Sequence, residues 1–397
     1  MKEDQINSKQ LKVVILTSRF PYPLDKGDKL RIYHHIKELS KYTSITLICL
    51  CEEPITVESI DVLSPYCTGG IHAFQLSKRK RVAESLRYFI KGRPMQVGYF
   101  FSSEIKERIN WIIDELEPDH VHCHMVRMIP YIRFKKNRRY SLDYMDSMVL
   151  NDMASQHIKG RGVGILRYME RKRIAAFETK FHISFDHHFI ISQRDRIQMN
   201  HAIQEDIEIL SNGVETKEVT SLFESQKEYD LCFCGNLGYV PNQKAIDIIL
   251  NDILPQLRTS SIVLAGSDAP SYLSSIREEY LTILSPVDDM SDIYMKSRIL
   301  IAPIFTGSGQ QNKILEAMAL GVPCITTSFV NESIGANNGD EILIADEAKS
   351  FIEGVKVLFS HSEIYAEISR NGKALVERRF DWCRNTKPLI DAILNSN

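Results

Sequence analysis

Between Thr306 and Pro323 the chain reads TGSGQQNKILEAMALGVP, an order of residue types suited to holding an anion. Gly307 and Gly309, on either side of Ser308, lack a Cβ and let a backbone approach a ligand closely. The helix expected from about Gln311 points its first unpaired N–H groups, and the positive end of its dipole, at that loop. Lys313 falls in the first turn, where a cation opposes the dipole unless something negative sits nearby. Glu316 follows Lys313 by three residues and Asn312 by four, so all three can share one face. Its carboxylate suits the hydroxyls of a diol such as a ribose. Gly321 closes the helix and Pro323 prevents its continuation. The competing explanation is an ordinary amphipathic helix with a Lys–Glu surface pair.

Two other stretches carry reactive types. Asp119–His124 (DHVHCH) puts three histidines at alternate positions near a strand end. Metal binding is possible in principle, but imidazoles so arranged are poorly placed for tetrahedral zinc without further ligands, and a hydrogen-bonded histidine at a strand end is the plain alternative. The loop Ser18–Asp28 (SRFPYPLDKGD) holds two prolines and Gly27 between an apolar strand and a helix. Lys26, Lys29 and Arg31 can neutralise phosphate there, although exposed surface charge is the commoner reason for such residues.

These loops need a scaffold. Leu11–Thr17 is a continuous apolar run of the kind buried on both faces of a parallel sheet. Further strands are expected at Ile45–Leu50, Ile71–Leu76, Asp119–His124, Tyr140–Asp143, His188–Ser192 and Ile207–Leu210. Helices are expected at Lys29–Leu39, Val82–Ile90, Glu104–Leu116 and around Ile165–Phe181. After a polar linker, Val214–Glu228, a second series starts. Its strands are Leu231–Cys234, Ile262–Ala265, Leu281–Leu284, Ile299–Ala302, Pro323–Thr326 and Ile342–Ile344. Its helices are Gln243–Leu257, Tyr272–Glu279, Met290–Lys296, Gln311–Leu320 and Ser350–Leu358, with a last one at Asn385–Leu394. Strands alternating with helices mean parallel sheets, and the restart means two of them. Ligands of such sheets bind at the carboxyl ends of the strands.

The 397 residues suit two α/β domains, and 44% apolar with 25% charged residues is ordinary globular composition. No run reaches the ~18 apolar residues of a membrane span, and the polar start lacks a signal-peptide core, so a cytoplasmic location is expected. The eight cysteines include two C-x-C pairs inside apolar runs and no C-x-x-C, which reads as buried free thiols. Residues 1–200 hold 33 Lys+Arg against 23 Asp+Glu, while the remainder holds 16 against 28. Such asymmetry points the first half at something anionic, or reflects two solvated surfaces of different composition. The basic clusters are Lys78–Arg81 and Arg133, Lys135, Lys136, Arg138 and Arg139.

The run Gly309–Gly321 (GQQNKILEAMALG) resembles the donor-binding helix of retaining GT-B glycosyltransferases of family 4, in a form similar to a branch associated with bacterial exopolysaccharide assembly. The resemblance covers nearly the whole chain. It implies two Rossmann-like domains facing each other across a cleft: an acceptor-binding domain at 1–210, a nucleotide-sugar-binding domain at 211–379, and a C-terminal helix at 380–397 that returns to the first domain. It assigns Glu316 to the ribose of the nucleotide. The family's first glutamate, seven residues earlier, falls on Ser308, and backbone amides of Gly307–Gly309 are expected to take over part of its role. Phe20–Lys29 is similar to the family's first loop, where Gly27 matches the first glycine of a pair under the diphosphate and Asp28 replaces the second. His124 matches a histidine at the catalytic centre.

Asn212-Gly213-Val214-Glu215 resembles the turn at the domain junction. Gly235 and Asn236 resemble the turn opening the donor domain, where the family's diphosphate-gripping arginine is missing, so that Asn236, Asn242 or Lys244 substitutes and Lys313 carries more of the phosphate charge. Val287-Asp288-Asp289-Met290 resembles the loop that touches the base, and Gln311 and Asn312 join the donor set. Asp143 and Asp146 match acidic positions of the branch without a role.

The resemblance therefore implies transfer of a sugar with retention, from a nucleoside-diphosphate sugar of UDP or GDP type to a saccharide or lipid-diphosphate-linked acceptor. It also implies no metal and no cofactor, peripheral membrane contact through the basic first domain, and no nucleic acid. His124, Lys313 and Glu316 are the expected catalytic residues. The alternatives are a sugar-nucleotide epimerase of the same architecture and a nucleotide-sugar-binding protein of impaired activity. A NAD-dependent oxidoreductase is disfavoured because no G-x-G-x-x-G follows the first strand.

Overall fold

The computed structural model describes residues 10–147, 161–199, 201–215, 227–257, 260–276, 278–287 and 289–395. Most of the expected linker, 216–226, lies outside them, as does Asp288 of the expected base-binding loop.

Apolar runs buried on both faces become the centres of two parallel sheets. The first contains β1 (Lys12–Thr17), β2 (Ser44–Cys51), β3 (Gly70–Gln75), β4 (His120–His124), β5 (Arg139–Asp143), β6 (His187–Ile190) and β7 (Ile207–Ile209). Their order is β3-β2-β1-β4-β5-β6-β7. The second contains β8 (Tyr229–Asn236), β9 (Ile262–Ser267), β10 (Leu281–Leu284), β11 (Ser297–Ala302), β12 (Cys324–Thr326) and β13 (Leu343–Ile344), in the order β10-β9-β8-β11-β12-β13. In both sheets the order reverses between two central strands, β1 and β4 in one, β8 and β11 in the other. Such reversals open a crevice at the carboxyl ends of the strands. Helices on both faces complete a two-lobed, Rossmann-like α/β architecture, the GT-B fold expected from the sequence.

The helix Trp382–Leu394 closes the chain on the first lobe. Leu389, Ile390 and Ile393 join Val13, Ile15 and Ile32 in one core cluster. The Trp382 ring stacks on His34 at 4.3 Å. Gly213 is needed for this crossing, since a Cβ there would lie 2.4 Å from the Trp382 nitrogen.

Several elements differ from expectation. Among the described residues of the expected helix Tyr272–Glu279, the helical part is a 3₁₀ turn at Leu273–Ser275. The Ser275 hydroxyl donates to the Tyr272 carbonyl at 2.6 Å, and serine competes in this way with helix continuation. The helix at Ser362–Arg379 has no counterpart in the sequence reading. Gly372 breaks its apolar pattern, and it is there because a Cβ would sit 2.8 Å from the Glu341 carbonyl oxygen. The expected helix Gln243–Leu257 begins earlier, at Val240, with Pro241 in its first turn, and continues through a π turn, Ile249–Ile253. Seven cysteines are buried and unpaired, and Cys383 is exposed. No helix among the described residues is long and apolar enough to cross a membrane.

Candidate functional site

The two sheet reversals face one another. β8 ends in Cys234-Gly235-Asn236, and β11 is followed by the Gly307–Gly309 loop and the helix Asn312–Ala319. Lys313 is not on the surface. Its Nζ donates to Asn242 Oδ1 at 2.9 Å and lies 4.2 Å from the centre of the Phe233 ring. Gly235, at φ +135°, covers it, and a Cβ there would stand 2.9 Å from Nζ. Burial lowers the Lys313 pKa to about 8. Nor does a Lys–Glu surface pair exist: the Glu316 carboxylate accepts from the Tyr294 hydroxyl at 3.1 Å, and burial raises its pKa. Glu316 instead lines a cavity of about 190 Å³ between the lobes, with Leu24, His34, Ser291 and Trp382. Asn242 thus holds the lysine, while Asn236 donates to Asp268 at 2.6 Å. Val287 packs against the second core.

The glycine loop is docked on the opposite lobe. Gly307 and Gly309 have φ of +143° and +70°, positions that favour glycine. The Gly309 N–H donates to Asp195 Oδ1 at 3.2 Å, and its carbonyl accepts from Arg194 Nη2 at 2.8 Å. The Ser308 hydroxyl donates to Asp146 Oδ2 at 2.7 Å. Burial, reinforced by the neighbouring Asp195, pushes the Asp146 pKa up to about 6. A carboxyl group of the first lobe therefore stands beside Ser308 of the glycine loop. Asp195, Arg194, Arg19 and Arg127 were not anticipated. The Asp143-x-x-Asp146-Ser147 run after β5 was the one available signal for Asp146.

On the first lobe, β4 delivers His124 beside Asp143 at the end of β5. His124 Nδ1 lies 3.3 Å from Asp143 Oδ2, while its Nε2 is buried without a partner. Asp143 also takes two bonds from Arg31, at 2.7 and 3.1 Å. Burial acts to raise its pKa, but Arg31 and His124 outweigh that and hold it well below the usual carboxylate range. Arg31 Nη1 continues to Asn212 Oδ1 at 2.8 Å, and Asn212 Nδ2 to Asn312 Oδ1 at 3.0 Å. The Asn212 N–H donates to Gln310 Oε1 at 3.0 Å. One buried polar chain thus runs from His124 to the first residue of the Lys313 helix, and Gln311 is the residue preceding that helix.

Gly27 opens the helix Gly27–Leu39 and is exposed, whereas Asp28 beside it is buried. Burial acts to raise the Asp28 pKa, yet Arg19 (2.5 Å) and Arg127 (3.4 Å) hold it below its ordinary value. His35, His122 and Asp143 bring potential ligand atoms within 4.8 Å of one another. Arg31, on both Asp143 oxygens, already supplies the positive charge there.

The other histidines of β4 are structural. His120 Nε2 and His122 Nδ1 share the Ser141 hydroxyl at 2.7 and 2.9 Å. Burial lowers both pKa values to about 3. A histidine kept neutral by the fold contributes stability above its unfolded pKa of about 6.5, and that contribution is lost as pH falls from there towards the folded value. By pH 5 about 2 kcal/mol of stability has been lost for each one. His122→Asn keeps a partner for Ser141 but does not titrate. Its melting temperature is therefore expected to drop less than that of the parent between pH 7 and pH 5; equal drops would contradict this assignment.

The sequence and fold have known counterparts. Residues 228–361 match the model of the family described as Glycosyl transferases group 1. An uncharacterized 44.6 kDa protein in the cps region of Klebsiella pneumoniae is 22% identical, over 97% of this chain and all of that one. The sucrose-phosphate synthase of Thermosynechococcus elongatus superposes with a TM-score of 0.69 at 12% identity, covering 95% of this chain and 97% of its own. The Anabaena protein Alr3699/HepE in complex with UDP-glucose does so with a TM-score of 0.64 at 12% identity, covering 97% and 100%.

Proposed function

We propose that the chain is a glycosyltransferase that moves a sugar from a UDP- or GDP-type donor to a saccharide or lipid-diphosphate-linked acceptor, with retention; the glycosyl transferases group 1 match of its second lobe and the two-lobed fold support this reading. The observation that carries this reading is Lys313: a cation at a helix start, buried beneath a glycine, with no carboxylate within 4.0 Å among the described residues. A buried charge with no ion-pair partner, influenced by the Glu316 carboxylate only from beyond contact, is costly, and a diphosphate over Gly235 and the Gly307–Gly309 loop balances it. Glu316 takes the ribose hydroxyls in the cavity between the lobes. The relative bound to UDP-glucose agrees with a nucleotide-sugar donor, and the relative from a cps region with polysaccharide or glycoconjugate assembly.

In the reaction the bond from the anomeric carbon to the diphosphate breaks, and negative charge develops on the leaving group. Lys313 and the helix N–H groups stabilise that charge without reorganising. His124, held by Asp143, contacts the donor sugar. The acceptor hydroxyl attacks from the same face, and its proton passes to the departing phosphate.

A thermal-shift series with UDP, GDP, UDP-glucose and NAD tests the reading. A nucleotide at 100 times its Kd stabilises by about 2.7 kcal/mol, a shift of several degrees for lobes of this size. UDP or GDP should give it, and hydrolysis of the matching sugar nucleotide should follow. Stabilisation by NAD alone would overturn the proposal, and release of an epimer without hydrolysis or transfer would favour an epimerase.

A further inference from the structure

The carboxyl groups that the first lobe brings to the cleft are Asp28, Asp143, Asp146 and Asp195. All but Asp146 are taken up by the protein itself. Asp28 meets Arg19 and Arg127, and Asp143 meets Arg31 and His124. Asp195 accepts from the N–H groups of Ser147 and Gly309, each at 3.2 Å, and from the Ser192 hydroxyl. Asp146 is buried, yet among the described residues it makes no ion pair, and its hydrogen bond is the one from the Ser308 hydroxyl to Oδ2. A carboxylate offers about four acceptor sites, and buried polar groups are normally satisfied. Burial and Asp195 raise the Asp146 pKa to about 6, so that it is an anion at neutral pH.

The backbone aims this carboxylate into the cleft. Met145, one residue earlier, has φ +68°, a left-handed conformation that a bulky residue rarely adopts and that clusters at functional sites. The surroundings enforce it: the Met145 N–H donates to Asp143 Oδ1 at 2.9 Å, and its carbonyl accepts from the Ile191 N–H at 2.8 Å. Around this turn Asp143 meets His124, while Asp146 meets the glycine loop. A Cβ on Gly309 would stand 3.6 Å from the Asp146 Cβ, so the loop backbone runs directly over the side chain. In the turn after Gly235 and Asn236, burial and then the Asp146 charge raise the Tyr239 pKa. Glu178, on the helix Arg161–His182, is raised to about 8 by burial and by Asp146. It is therefore neutral at pH 7, and the negative charge stays on Asp146.

We propose that Asp146 recognises a hydroxyl of the donor sugar, accepting a hydrogen bond from it while Ser308 holds the carboxylate in place across the lobes. The proposal rests on the reading above and adds to it a residue that selects the sugar. Asp146 lies between the loop that takes the diphosphate and the Asp143–His124 pair that meets the sugar. The diphosphate brings acceptors and negative charge, which repel a carboxylate, and the ribose is engaged by Glu316. The hydroxyls of the transferred sugar are the donors left to satisfy it.

The test is calorimetric binding to the full chain of UDP and UDP-glucose, or of GDP and GDP-mannose where GDP gives the larger thermal shift. Asp146→Asn keeps an acceptor for Ser308 but makes it neutral, and charge-assisted hydrogen bonds are about twice as strong as neutral ones. It should bind the sugar nucleotide about 10-fold more weakly. It should bind the nucleotide alone as tightly as the parent or more tightly, since a like charge near the diphosphate has gone; this arm also reports folding. Asp146→Ala should lose on the order of 10–100-fold, again for the sugar nucleotide only. Among analogues lacking the sugar hydroxyl at carbon 2, 3, 4 or 6, one should bind the parent more weakly by a similar factor, and that difference should vanish in Asp146→Ala. If Asp146 merely fastened the loop, Asp146→Asn would be silent and Asp146→Ala would weaken nucleotide and sugar nucleotide alike. Either result, or deoxy penalties that persist in Asp146→Ala, would overturn the assignment. A parent that binds neither nucleotide, or a nucleotide but neither sugar nucleotide, would overturn the donor reading itself.

Discussion

Lys313→Ala is expected to lower donor turnover about 10²–10³-fold, the size of effect seen when one preorganised donor to a developing charge is removed, without lowering the melting temperature. The two parts of this expectation share one cause. Lys313 is buried against Phe233 and Asn242 with no carboxylate partner, so the empty enzyme loses little when the cation goes. Removing a buried charge that has no ion-pair partner relieves its desolvation cost, which offsets the lost contacts with Asn242 and Phe233, whereas the diphosphate-bound state loses its counter-charge. Gly235→Ala should act in the same direction, because the new Cβ would stand 2.9 Å from Nζ at a φ of +135°. Glu316→Ala should raise the KM for the sugar nucleotide more than it lowers kcat, since a ribose contact is made equally in the ground and transition states. Steady-state donor hydrolysis with calorimetric melting measures all three. Near-parental turnover in both Lys313→Ala and Glu316→Ala would mean that the site lies elsewhere.

Asp143→Asn should cost stability in the opposite manner. Arg31 and Asp143 are both fully buried, and deleting one partner leaves an uncompensated charge, worth about 3–5 kcal/mol. Denaturant titration should show this as a lower midpoint. In a double-mutant cycle, R31M/D143L should lose less than the sum of the two single changes, because no unpaired charge then remains. Since Asp143 also accepts from His124, and Arg31 leads through Asn212 to Asn312, Asp143→Asn should also reduce turnover in the fraction that stays folded. Additive losses in the cycle would show that the chain of polar contacts does not act as a unit.

Much of the architecture was legible because it depends on local pattern. Apolar runs buried on both faces gave the sheets, and the helix Met290–Lys296 follows directly from its residues. What escaped was governed by contacts remote in sequence. Gly372 hides a helix because its neighbour is the Glu341 carbonyl. The clusters Lys78–Arg81 and Arg133–Arg139 read as free charge because the acids that meet them lie on other elements.

The candidate site divides in the same way. Glycines, a helix start, Lys313 and Glu316 stand within ten residues of one another, so their chemistry is written in short-range order. Only the tertiary structure decided that Lys313 is buried under Gly235, that Ser308 meets Asp146, and that His124, Asp143, Arg31 and Asn212 form one chain. Those partners come from different strands and from both lobes, and short-range order carries no record of which side chains long-range packing brings within hydrogen-bond distance.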